Sequence, residues 1–157
     1  MRLSEHFSLT EACKSQTADR LGIDNTPSAA VIDRMKAVCE KILEPVRAHY
    51  NLPVTISSFY RSPRLNAEIG SKPTSQHTTG EAVDFEIPGI PNPELAAWVR
   101  DNLVADQIIL EFHTAGIADS GWVHVSYRAD ETACRQECLT INKQGVFAGL
   151  VEWHPFS

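Results

Sequence analysis

Between Ser75 and Phe85 the chain reads Ser-Gln-His-Thr-Thr-Gly-Glu-Ala-Val-Asp-Phe, with His77 and Asp84 on either side of Gly80. No other stretch restricts the fold as much. Thr79-Gly80 is a turn signal, and Ala82 to Ile87 reads as a strand. Alternate residues of a strand share a face, so Val83 and Phe85 enter a core while Asp84 points to the opposite side. His77 then sits on the loop leading into that strand. Imidazole nitrogen and carboxylate oxygen are both zinc ligands, and a catalytic zinc takes three protein ligands and leaves a fourth position to water. The run Trp122-Val123-His124-Val125-Ser126 supplies a third candidate, a histidine in the middle of an apolar, β-prone segment.

A histidine followed by an aspartate is ordinarily a pair of surface residues. Here it stands within an ordered series. Ser57-Ser58-Phe59-Tyr60-Arg61-Ser62-Pro63 comes first, then Ser75-x-His77-x-x-Gly80-x-Ala82-x-Asp84-Phe85, then Trp122-Val123-His124-Val125. That series resembles the M15 peptidases, the zinc D-Ala-D-Ala carboxypeptidase family, whose fold is shared with the hedgehog signalling domain. The likeness runs from about Phe7 to the end and is greatest to the small single-domain phage and bacterial members. It implies an α+β fold with a central, mostly antiparallel sheet flanked by helices, a single domain over residues 1–157, and Zn2+ held by His77, Asp84 and His124.

The resemblance also implies that Arg61 lines the active site, where a guanidinium can hold a substrate carboxylate or stabilise an oxyanion. Arg64 is a second cation suited to a terminal carboxylate. Ser75 occupies a serine position of the family motif and is expected to support the substrate site. Taken alone, Arg61 is a strand-end charge and Ser75 a residue that turns the backbone.

Peptide hydrolysis also needs a base to take a proton from water and pass it to the leaving amine. Many family members carry an acidic residue three positions before the last histidine, and here that position is Gly121. Glu111 is the replacement expected, at the end of a strand Asp106–Phe112 that can pair with the His124 strand. Asp119, on the intervening loop, is the alternative. His113 is near enough in sequence to assist a tetrahedral intermediate. His6, His49 and His154 lie near element ends and read as solvated.

The remaining chain reads as scaffold. Ser8 and Glu11 form a capping box at a short helix. Thr26 and Pro27 open a helix running to Tyr50, with Val31, Met35, Val38, Ile42, Val46 and Tyr50 along one stripe and Pro45 as an interruption. The run from Val54 to Phe59 is the first core strand, Pro63 to Ile69 a short helix, and Asn92 the cap of a helix over Pro93–Leu103. Arg128–Cys138 is a short helix or a loop, and Leu139–Leu150 a hairpin turning at Asn142-Lys143-Gln144-Gly145. Cys13, Cys39, Cys134 and Cys138 form no Cys-x-x-Cys pair and are read as free thiols; on a helix, Cys134 and Cys138 would be spaced to share a metal.

The chain's 157 residues suit one domain with a sizeable core. A net charge of −6 without a basic run argues against nucleic acid as a partner. No apolar run reaches the length of a membrane span. The N-terminus lacks a signal peptide, so synthesis in the cytoplasm is expected, with release to the wall through a pore made by another protein. The expected partner is a peptidoglycan peptide, met by a monomer. Two bonds fit: D-Ala-D-Ala, giving a carboxypeptidase, and L-Ala-D-Glu, giving an endopeptidase of endolysin type. The competing reading is a non-catalytic zinc domain that binds wall peptides or a protein.

Overall fold

The computed structural model describes residues 1–150. The tail segment Trp153-His154-Pro155 lies outside the described residues. Two short helices open the chain, α1 (Leu9–Ala12) and α2 (Gln16–Leu21). Ser8 and Glu11 form the expected capping box on α1, and Gly22 ends α2 in the left-handed region. The long helix begins at Ala29, not at Pro27. Ser28 is its cap, with its hydroxyl accepting the Val31 N–H, while Thr26 turns back to the Asp24 carboxylate.

Pro45 loosens this helix without ending it. Proline has no N–H to give the Lys41 carbonyl, so the turn widens: Glu44 N–H reaches back to the carbonyl of Cys39. The result is α3 (Ala29–Val38), a π turn (Cys39–Leu43) and α4 (Glu44–Tyr50) in continuous succession. The stripe of Val31, Met35, Val38, Ile42 and Val46 stays buried across the junction.

Six strands form one sheet in the order β1-β2-β4-β3-β5-β6, where β1 is Thr55–Ser58, β2 Ala82–Glu86, β3 Gln107–Glu111, β4 Trp122–Ser126, β5 Glu137–Asn142 and β6 Gly145–Ala148. All neighbours are antiparallel except β3 and β5. Helices α5 (Pro63–Glu68) and α6 (Asn92–Asn102) complete the α+β architecture. The strand expected at 54–59 proves to be an edge strand, with alternate residues exposed, because only β2 pairs with it.

The two sheet faces have different tasks. Val83 and Phe85 of β2, Val123 and Val125 of β4 and Ile108 of β3 join Val31, Met35, Ile42, Leu95 and Val99 in one hydrophobic core under α3, α4 and α6. Strict alternation then puts Asp84, His124, Ile109 and Glu111 on the opposite face. Asn92 is the first helical residue of α6 rather than its cap. Its buried amide instead donates to the Glu86 carboxylate and to the carbonyls of Ser120 and Gly121, holding the β3–β4 loop. Cys138 lies on β5 and Cys134 at the end of a 3-10 turn (Glu131–Ala133), so the two do not share a helix face. All four cysteines are free.

Candidate metal centre

Register alone brings two of the three expected ligands together. Asp84 of β2 is the direct cross-strand partner of His124 of β4, and both project from the face opposite the core. Their side chains meet, with His124 Nδ1 2.8 Å from Asp84 Oδ1. His77 arrives from the loop before β2, and its Nε2 lies 3.4 Å from the same carboxylate oxygen. The two imidazole rings sit 5.2 Å apart between centroids. His77 is 2% exposed, and Asp84 and His124 9% each. One ligand atom from each residue falls within 4.8 Å of the others.

The loop that aims His77 is fastened at both sides. Its Nδ1 donates to the Phe59 carbonyl at 2.7 Å, which leaves Nε2 with its lone pair turned to Asp84. Such a second-nitrogen bond fixes ring orientation in metal-ligating histidines. The His77 carbonyl accepts the Arg61 N–H, and Arg34 of α3 donates to the Thr79 carbonyl at 2.7 Å. Gly80 is required by space as well as by its φ of +77: a Cβ there would lie 2.8 Å from side-chain atoms of Val31 and Met35. Ser75 turns this loop, its hydroxyl accepting the His77 N–H and its carbonyl accepting the Thr78 hydroxyl.

The electrostatics suit a cation. Burial pushes the Asp84 carboxyl up, but His77 and His124 outweigh it and hold the group well below the usual carboxylate range. Burial lowers the His77 pKa despite Asp84, so this imidazole is neutral near pH 7. Burial opposes charge on His124 too, but the hydrogen bond to Asp84 prevails and raises its pKa. One carboxylate and two imidazoles whose ring nitrogens converge on it are a zinc donor set, and their spacing fits one ion.

Glu111 and Arg61 flank this cluster. Glu111 lies on the His124 face of the sheet through the antiparallel β3–β4 pairing, and its Oε1 is 3.8 Å from His124 Nδ1. Burial, then the Asp84 charge, raises its pKa. Arg61 Nε is buried without a hydrogen-bond acceptor, and the guanidinium faces the charges of Asp84 and Glu111. Asp119 stands exposed on the β3–β4 loop with no hydrogen bond or ion pair among the described residues, and Arg64 is exposed on α5. His113 bonds to Ser120.

Gly121 explains the missing acidic residue. Its φ is +67, and a Cβ would lie 2.0 Å from the Glu111 carbonyl oxygen and 2.6 Å from His113 N. The backbone of β3 turns across this position, with Phe112 itself at a φ of +53, so position 121 has no room for a side chain.

The family model for peptidase M15 matches residues 5–126. The chain belongs to the M15 peptidase family. Every residue of the cluster, and both Arg61 and Glu111, fall inside the matched span, while β5 and β6 lie beyond it. No curated protein matches the chain. Among the described residues of this M15 member, no helix is long and apolar enough to cross a membrane.

Sequence reasoning left Asp106 and Gln76 unassigned. Asp106, fully buried just before β3, accepts from Gln76 Nε2 at 2.9 Å and from Arg135 through Nε at 2.9 Å and Nη2 at 3.0 Å. Arg128 Nε lies 3.1 Å away, an ion pair whose N–H is not aligned for a hydrogen bond. Gln76 is the neighbour of His77, so this carboxylate ties the candidate metal loop to the segment after β4. Its place in the Ser75-Gln76-His77 run was the available signal, but its partner lies 30 residues away in sequence.

Proposed function

We propose that the chain is a zinc peptidase, a single catalytic unit over residues 1–157 that hydrolyses stem peptides of peptidoglycan at the cell wall. The observation that carries this is the convergence of His77, Asp84 and His124 on one buried point, with Glu111 and Arg61 beside it, in a member of a peptidase family. His77, Asp84 and His124 would hold the zinc. When bound, zinc polarises a carbonyl and lowers the pKa of water to near neutrality.

The chain's own groups supply the remaining work. Glu111 is the general base: it takes a proton from the attacking water and returns it to the leaving amine. Arg61 offers the unpaired Nε–H to a substrate oxygen, either a carboxylate or the developing oxyanion. The Phe59 carbonyl keeps the His77 imidazole in a fixed tautomer and orientation. Ser75 holds the loop turn that delivers His77.

The test is hydrolysis of purified muropeptides by the zinc-loaded protein, with products identified by mass. Loss of a terminal alanine identifies a carboxypeptidase, and release of the stem after its first residue an endopeptidase. Glu111→Gln should retain zinc and lower the rate by about two to four orders of magnitude. His124→Ala should lose both zinc and activity. Absence of any product from folded, zinc-loaded protein overturns the proposal in favour of a non-catalytic zinc domain.

A further inference from the structure

A polar cleft of about 460 Å³ opens beside Asp84, within the range of small-ligand sites. Residues Lys14 to Thr17, between α1 and α2, form one wall. The end of β1 with Tyr60 and Arg61 forms the other. Lys14 and Arg61 are the cations that line it, and Asp84 is the anion. The chain carries 20 acidic residues against 14 basic ones, so acidic partners for cations are plentiful. Yet Lys14 is exposed, its side chain with no hydrogen bond or ion pair among the described residues, and the Nε of Arg61 is buried with no acceptor.

The two cations are also held in register with one another by a single side chain. Asn25 Nδ2 donates to the carbonyl of Cys13 at 2.9 Å and to that of Tyr60 at 3.1 Å, while its Oδ1 accepts the Ser62 N–H at 2.7 Å. Cys13 precedes Lys14, and Tyr60 and Ser62 bracket Arg61. The Tyr60 N–H adds a bond to the Ala12 carbonyl at 3.1 Å, and Ser15 caps the following turn through the Ala18 N–H. Backbone on both sides of the cleft is therefore fixed before any ligand arrives, while the charged ends remain unpaired. Preorganised donors of this kind lower the ordering cost of binding an anion.

We propose that Lys14 is a specificity-determining residue which, with Arg61, forms a two-cation subsite for a carboxylate of the bound peptide. This rests on the peptidase reading for the substrate class, and adds that the peptide must carry a free carboxylate beside the scissile bond. A stem peptide has two such groups, its C-terminal carboxylate and the free carboxylate of its D-Glu, and both share the chemistry the subsite requires.

Calorimetric titration with a synthetic stem pentapeptide tests this, using zinc-loaded protein carrying Glu111→Gln so that peptide persists. Three peptides are compared: the free acid, the C-terminal carboxamide, and the peptide in which the D-Glu carboxylate is a carboxamide. Lys14→Gln should weaken binding of the free acid by about fivefold, the upper range for one partly exposed charge pair. Lys14→Arg should restore it to within about twofold, and salt should weaken parent binding more than that of Lys14→Gln. The loss should vanish for whichever carboxamide lacks the group the subsite holds, which names the source. Equal loss on all three peptides, no change in Kd on Lys14→Gln, or no binding of any peptide by the parent overturns the subsite. Lys14-dependent binding without hydrolysis by the otherwise unaltered protein would instead sink the peptidase reading and leave the subsite standing. Hydrolysis with Lys14-independent binding would do the reverse.

Discussion

Replacing Asp106 with asparagine removes one buried charge and keeps the shape. The carboxylate is 0% exposed and accepts four hydrogen bonds: from Gln76, from the Arg135 backbone at 3.1 Å, and from two nitrogens of the Arg135 guanidinium. Asparagine has one acceptor oxygen, so its amide nitrogen would confront either Gln76 and the Arg135 Nη2 together or the Arg135 backbone N–H and Nε together, donors in both cases. Breaking a buried ion pair by removing one partner costs about 3–5 kcal/mol. Arg128 and Arg135 are 42% and 48% exposed and can recover water, which favours a loss at or below the lower bound. A loss of about 2–3 kcal/mol corresponds to a fall in Tm of roughly 4–12 °C for a chain of this size. Differential scanning calorimetry reads it directly.

The pH dependence carries an independent sign. Burial raises the Asp106 carboxyl, but Arg135 and then Gln76 outweigh burial and hold it well below its ordinary range. A depressed folded pKa contributes stability above the unfolded value of about 3.9, lost as pH falls through the folded value. The gap in Tm between the parent and Asp106→Asn should therefore be full at pH 6 and narrow steadily below about pH 4. A Tm change under 2 °C at pH 6, or a gap that widens in acid, would refute the view of Asp106 as a charged clasp. Because Gln76 adjoins His77, zinc affinity should also fall, by up to about tenfold.

Gly121→Ala should destabilise the chain by about 2 kcal/mol or more, since the new Cβ meets the Glu111 carbonyl at 2.0 Å and a positive φ is strained for alanine; urea denaturation measures it, and a neutral result would contradict the close backbone crossing. Zinc at about 100 times its Kd should stabilise the folded chain by about 2.7 kcal/mol, with the Tm gain reversed by chelator and absent in His124→Ala. Pro45→Ala should return the π turn Cys39–Leu43 towards regular α geometry by restoring an N–H for the Lys41 carbonyl, seen as new amide protection at position 45 in hydrogen exchange.

Several features were legible in the residues because they depend on neighbours a few positions away. The Ser8–Glu11 capping box, the apolar stripe of the long helix and the alternation around Asp84 and His124 are all local, and the fold follows them. Local signals misled where two residues compete for one job. Ser28 took the cap expected of Thr26, and Asn92 spent its amide on the β3–β4 loop instead of on a helix end.

Sequence by itself determined the α+β class and the M15 family, since spacing and pattern are properties of the chain in order. Tertiary structure alone decided the register that sets Asp84 opposite His124 and brings Glu111 to within 3.8 Å of it. It also decided that Asp106 reaches Gln76, that Asn25 spans Cys13 and Tyr60, and that Gly121 has no space for the family's acidic residue. These are pairings between residues 10 to 40 positions apart. Packing of the sheet on its helices selects them, and no local preference of the chain encodes them.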